Sequence, residues 1–224
     1  MVSQPSSAGG TLLCVPTELE RSILERVAPD LFEGQGGPGV QVIGFGPVAA
    51  AARTSALIAR LHPEQLLLLG IAGGLAGGLE SGPQVGEAAE FGAVALDGVG
   101  AGAGQDAGLL LPSALGFPQW QDAEGEVHEH LQLPAEGPLL LSVCAASGSP
   151  SEAARRLERF GGAVAEDMET FGAALAARMA GVPLRAVRGI SNVAGDRDKD
   201  RWQIEPALEA AAVHARAMVA GGRP

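Results

Sequence analysis

The sequence predicts an α/β domain whose sheet is largely parallel in its first half, and three observations carry that expectation. Short aliphatic runs alternate with Ala-rich helical stretches from Thr11 onward. Those runs are continuous rather than alternating, as strands buried on both faces should be. The 224 residues show no interdomain linker, and no repeat beyond the Ala-Gly-Gly-Leu pair at 72–79. One domain is therefore expected over residues 11–224, behind a disordered leader of Ser, Pro and Gly at residues 1–10.

Thr11–Val15 opens the sheet, and Thr17 can cap a helix that runs to about Val27. Val40–Ile43 is the second strand. Gly44-Phe45-Gly46 then turns the chain into a helix from Pro47 to about Arg60, with Pro at the tolerated first position. Gln65–Leu69 is the third strand and is followed by a glycine-rich loop, Gly70-Ile71-Ala72-Gly73-Gly74. Residues 92–138 have weak periodicity and many Gly and Pro, so the sheet continues there through long loops. Leu139–Val143 and Leu184–Val187 are further strands. Helices are expected at about 150–160, 168–180 and Pro206–Ala220.

Composition excludes several classes of function. A net charge of −11 repels nucleic-acid phosphates and anionic membranes. Hydrophobic content of 46% with only 4% aromatics requires a core of Ala, Leu and Val. Cys14 and Cys144 are far apart, and the four His are scattered, so no metal site is expected. The N-terminus lacks a basic region and an apolar stretch, and the Leu66–Leu79 run is too short to span a bilayer. A cytoplasmic location follows as an expectation.

Three clusters can carry chemistry, and each has a bland reading. Glycines at 70–74 let a ligand approach the backbone beyond a strand end, although Gly-rich turns are common there. Glu166-Asp167-Met168-Glu169 precedes an Ala-rich helix, where acids complement the helix dipole. Glu169 differs, because the turn after it (Thr170-Phe171-Gly172-Ala173) reads as buried, and a buried carboxylate needs donors such as a sugar diol. The third cluster, Arg188 to Asp198, packs many polar residues after a buried strand; a structural Asn at a strand end is its ordinary alternative.

In this order the clusters resemble the nucleoside phosphorylase/nucleosidase superfamily, including its methylthioadenosine/S-adenosylhomocysteine nucleosidase branch. Arg188-x-Ile190-Ser191-Asn192, Gly195-Asp196-Arg197-Asp198 and Trp202-x-Ile204-x-x-Ala207 are most similar to the futalosine hydrolases. The resemblance runs from Thr11 to about Ala220 and is poor over residues 97–138. It implies a three-layer α/β/α fold on a central mixed sheet and a nucleoside substrate. It also implies no cofactor, a homodimer or larger assembly with part of the 5′ pocket lent by a neighbour, and a place in menaquinone biosynthesis. Matched residue by residue, Glu20 stands for the water-activating carboxylate, with Glu18 as the fallback. Met168 and Glu169 stand for the ribose-binding pair, with Asp167 beside them, and Ile71, Ala72 and Gly73 line the substrate. Asn192 replaces the Asp of the adenosine-type enzymes. Cys144–Gly148 holds none of the aromatics that those enzymes stack on the purine. Arg197 and Lys199 would meet the aromatic carboxylate of futalosine, and Phe117 or Trp202 would pack its ring.

The residue types suit N-glycoside hydrolysis. A carboxylate beneath C1′ deprotonates water, and a second one fixes the diol and stabilises the cationic sugar. The amide of Asn192 can donate to O6 or N7 of a 6-oxopurine, whereas an ionised Asp would be repelled. It cannot protonate the base, a task left to Asp196, Asp198 or water. Phosphorolysis is the nearest competitor, but the family's phosphate-binding Arg and Ser/Thr positions are Leu68 and Ile71 here. An adenosine-type nucleosidase and a non-catalytic nucleoside-binding module are the other readings.

Overall fold

The computed structural model describes residues 10–32, 39–76, 82–102 and 108–221, with side chains through Met218; the expected leader, Gly10 apart, lies outside the described residues. The first half contains β1 (Thr11–Val15), α1 (Glu18–Val27), β2 (Gln41–Val42), α2 (Pro47–Leu61), β3 (Gln65–Gly74), β4 (Ala88–Phe91) and β5 (Ala93–Asp97). Short pieces follow: β6 (Ala101–Gly102), β7 (Leu109–Leu110), α3 (Pro112–Leu115), β8 (Trp120–Asp122), β9 (Gly125–Val127) and β10 (His130–Gln132). The chain closes with β11 (Leu139–Val143), α4 (Pro150–Arg159), β12 (Ala163–Asp167), α5 (Thr170–Met179), β13 (Leu184–Val193) and α6 (Ile204–Gly221).

Among the described residues the main sheet has nine strands, in the order β10-β5-β11-β12-β3-β1-β2, with β13 also paired to β3 and β4 beside β13. β1, β2, β3 and β13 run parallel, as do β5, β11 and β12, while β3/β12, β4/β13 and β5/β10 are antiparallel. The sheet is mixed, with its first three strands parallel as expected.

Strand periodicity of two builds the layers. On one face Leu12, Cys14, Leu66 and Leu68 meet Leu57 and Ile58 of α2 and Phe171 and Ala174 of α5. On the other, Leu13, Val15, Leu67 and Leu69 meet Leu24 of α1 and Leu208 and Ala211 of α6, while Leu141 and Val143 meet Ala153 of α4. Each buried Leu or Val contributes about 1.5–3 kcal/mol relative to exposure, so an almost aliphatic core suffices. No helix among the described residues is long and apolar enough to cross a membrane.

Three expectations need correction, and all three place the site on strands. The glycine-rich segment Gly70–Gly74 continues β3, hydrogen-bonded to β13 and β12. Its first glycine serves close approach: a Cβ on Gly70 would lie 2.5 Å from Arg188 Nη1 and 2.9 Å from Glu20 Oε1. Likewise Ile190–Val193 belongs to β13, which bulges between Ile190 and Asn192. Glu166 and Asp167 end strand β12, a strand that sequence reading missed, and do not form a helix's first turn.

Candidate active site

A cavity of about 460 Å³ lies where β3, β12 and β13 meet the start of α1. Glu20, Ile71, Ala72, Gly73, Met168 and Glu169 line its interior.

Glu20 comes from the first turn of α1. Thr17 caps that helix by accepting from the Glu20 N–H, as expected. A Thr-x-x-Glu spacing would ordinarily return the Glu side chain to the cap backbone. Here the carboxylate turns inward instead: Oε1 accepts from the Ile71 N–H at 3.0 Å and Oε2 from the Thr17 hydroxyl at 2.6 Å. Glu20 is only 4% exposed. Burial raises its pKa above the usual carboxylate range, and the Thr17 hydroxyl, the Arg188 charge and the Ile71 N–H partly oppose that rise. Glu18 is exposed, pairs with Arg21, and is not among the cavity's lining residues, so the fallback assignment has no geometric support.

Glu169 precedes α5 and accepts from the Gly46 N–H at 2.9 Å. The close crossing of α2 and α5 makes this reach possible, since a Cβ on Gly172 would sit 2.1 Å from the Pro47 carbonyl oxygen. Burial first, then repulsion from Asp167, pushes the Glu169 carboxyl up to about 7, against the pull of Arg188. Asp167 is itself fully engaged, accepting from Ser142, the Thr170 N–H and hydroxyl, and Arg188 at 2.8 and 3.0 Å. It lines the cavity but acts as the counter-charge of Arg188.

Arg188, which the sequence marks as the start of the third cluster, has no role assigned to it there. It is 0% exposed, and its Nη1 has no hydrogen-bond partner among the described residues. The signal was available: a cation inside the aliphatic strand from Leu184 must be buried and paired.

The elevated Glu169 pKa has a consequence for stability. Between its ordinary value of 4.5 and about 7, the folded protein keeps a proton that the unfolded chain has lost, so stability declines as pH rises through that window. Glu169→Gln keeps an oxygen for the Gly46 N–H and never ionises. Its Tm should therefore exceed that of wild type at pH 8, by a margin that shrinks toward pH 5. A margin independent of pH in thermal unfolding would contradict the elevated pKa.

Asn192 lines the same cavity, its Oδ1 accepting from the Ser191 hydroxyl and its Nδ2 donating to the Val193 carbonyl, which leaves one N–H. At the mouth stand Phe45, Leu19, Arg197, Lys199 and Trp202. The Arg197 guanidinium lies 5.5 Å from the Trp202 ring centroid. Phe117 is not brought to this cavity: it follows the four-residue helix α3, is 73% exposed, and is not among the cavity's lining residues. Asp196 and Asp198 pair with Arg201 and also lie outside the lining. Leu68 is buried in the aliphatic core, while Ile71 faces the cavity.

Comparisons with known proteins give the chain's family and similar folds. A family model described as the phosphorylase superfamily matches residues 34–221. A futalosine hydrolase of Thermus thermophilus is 33% identical, covering 93% of this chain and 95% of that protein. One from Acidothermus cellulolyticus is 34% identical over 75% of this chain and 70% of its own length. In fold, the chain is similar to a futalosine hydrolase of Helicobacter pylori, with a TM-score of 0.73 at 15% identity, covering 96% of this chain and 98% of that one. A 5′-methylthioadenosine/S-adenosylhomocysteine nucleosidase from the same organism gives 0.71 at 18% identity, covering 95% and 98%.

Proposed function

The chain belongs to the phosphorylase superfamily and, within it, to the futalosine hydrolase family, and we propose that it hydrolyses the N-glycosidic bond of futalosine. The products are hypoxanthine and dehypoxanthine futalosine, in a cytoplasmic route to menaquinone. The observation that carries the reading is the pair of buried carboxylates, Glu20 and Glu169, brought into one cavity from positions far apart in the chain.

In this reading Glu20, aimed by the Ile71 N–H, takes a proton from water beneath C1′ as the C–N bond lengthens. Arg188 lies on the same side of Gly70 and offsets the desolvation of Glu20, which keeps the carboxylate usable as a base. Glu169 accepts from the ribose diol, and its negative charge stabilises the cationic sugar. The remaining N–H of Asn192 donates to the 6-oxopurine as negative charge develops on it. Arg197 and Lys199 form no ion pair among the described residues, although acids outnumber bases in this chain. Cations standing so at a cavity mouth, with Trp202 beside them, suit the aromatic carboxylate on the 5′ side of futalosine. The family resemblance adds a homodimer or larger assembly; Phe117, outside its own cavity, could serve the 5′ pocket only of a neighbouring copy.

Incubation with futalosine, inosine and methylthioadenosine in phosphate-free buffer with a chelator tests this. Hypoxanthine should be released from futalosine at the highest kcat/KM. A requirement for phosphate, or loss of activity on chelation, would overturn hydrolysis as proposed, and preferred release of adenine would reassign the substrate.

A further inference from the structure

At residues 146–147 the cavity wall is formed by Ala146 and Ser147 rather than by an aromatic ring. This stretch flanks Asn192, because the turn that follows Asn192 packs on it: a Cβ on Gly195 would lie 2.4 Å from the Ser149 carbonyl carbon. A methyl wall has no π face to stack on a base, so it can shape a base site only if its backbone is held still. Both neighbours of Ala146 are held. Arg156 Nη2 donates to the Ala145 carbonyl at 2.6 Å. On the other side, the Ser147 N–H and hydroxyl both donate to the Glu166 carboxylate at 2.7 Å. Arg156 Nη1 ties the two sides together, donating to the Ser147 oxygen at 2.7 Å and to Glu166 at 3.0 Å. Its remaining charge contacts are with Asp97 and Glu152. Arg156, Glu166 and Ser147 are all buried, whereas Ala146 faces the open cavity.

We propose that Arg156, which does not itself line the cavity, is a positioning residue for base recognition: through Glu166, Ser147 and the Ala145 carbonyl it sets the wall on which the purine lies. The proposal rests on the nucleosidase reading and deepens it. A buried, fully satisfied network of this kind has one arrangement, and removing the cation leaves Glu166 charged and unpaired beside the site.

The test measures the inhibition constant of free hypoxanthine, together with KM and kcat, on variants whose folding is verified by thermal unfolding. Arg156→Met should weaken hypoxanthine binding by at least about thirtyfold and raise KM more than it lowers kcat. Adding Glu166→Gln removes the orphaned charge while keeping an acceptor for the Ser147 N–H, and should bring binding back to within about tenfold of wild type. If Arg156→Met does not fold, Ser147→Ala decides the matter, with a loss of about threefold to tenfold expected. Hypoxanthine affinity that is unchanged in folded Arg156→Met or in Ser147→Ala overturns the assignment. So does a loss that Glu166→Gln fails to relieve. Wild-type protein that binds no hypoxanthine would instead overturn the nucleosidase reading beneath it.

Discussion

Glu20→Gln should lower kcat by about 10²–10⁴-fold and leave hypoxanthine affinity almost unchanged. The amide is isosteric and can still accept the Ile71 N–H at Oε1, so the floor of the cavity keeps its shape. It loses the ability to take a proton from water. Because an interaction made mainly in the transition state is removed, kcat and kcat/KM should fall together. Glu18→Gln is the internal control: Glu18 is exposed and paired with Arg21, so its loss should leave the rate within a small factor of wild type. Steady-state kinetics on both variants checks the assignment. A fully active Glu20→Gln with an inactive Glu18→Gln would move the base to the other residue.

Asn192→Asp should shift preference from 6-oxopurine toward 6-aminopurine nucleosides by about ten- to a hundredfold. An amide always offers N–H to O6, whereas a carboxylate offers acceptors to a C6 amino group and, when protonated, one donor to N7. The structure adds a reason for a partial switch. Nδ2 of Asn192 donates to the Val193 carbonyl, so an Asp placed there sets oxygen against oxygen and must rotate or protonate. The ratio of kcat/KM for the two nucleoside classes is the readout. An unchanged ratio would mean that Asn192 does not read the base.

Aliphatic strands and capped helices were legible because their signals are local. Thr17, Pro47 and the Leu66–Leu69 run each declare an element within a few residues. The glycine-rich end of β3, the polar end of β13 and the whole of β12 were not. Small residues have weak strand propensity, and these segments are strands because of their neighbours in the sheet. The acids of β12 misled for the same reason: next to an Ala-rich helix they fit a first turn, and although Asp167 does accept from nearby Thr170, the cations and serines that hold the pair, Arg188, Ser142, Ser147 and Arg156, lie 10 to 25 residues away. Glu20 and Glu169 stood out through family resemblance and the buried turn after Glu169. Arg188 was legible as a buried cation inside an aliphatic strand, but its partner Asp167 and the whole Arg156 clamp needed the fold, since both are defined by what they touch.

The central claim is that water, activated at Glu20, is the group that attacks the sugar. Running the futalosine reaction in ¹⁸O-labelled water without phosphate, and weighing the sugar product before anomeric exchange, tests it directly. The account predicts one ¹⁸O at C1′ in every turnover. An unlabelled sugar product, or turnover only when phosphate is supplied with a sugar phosphate as product, would contradict it.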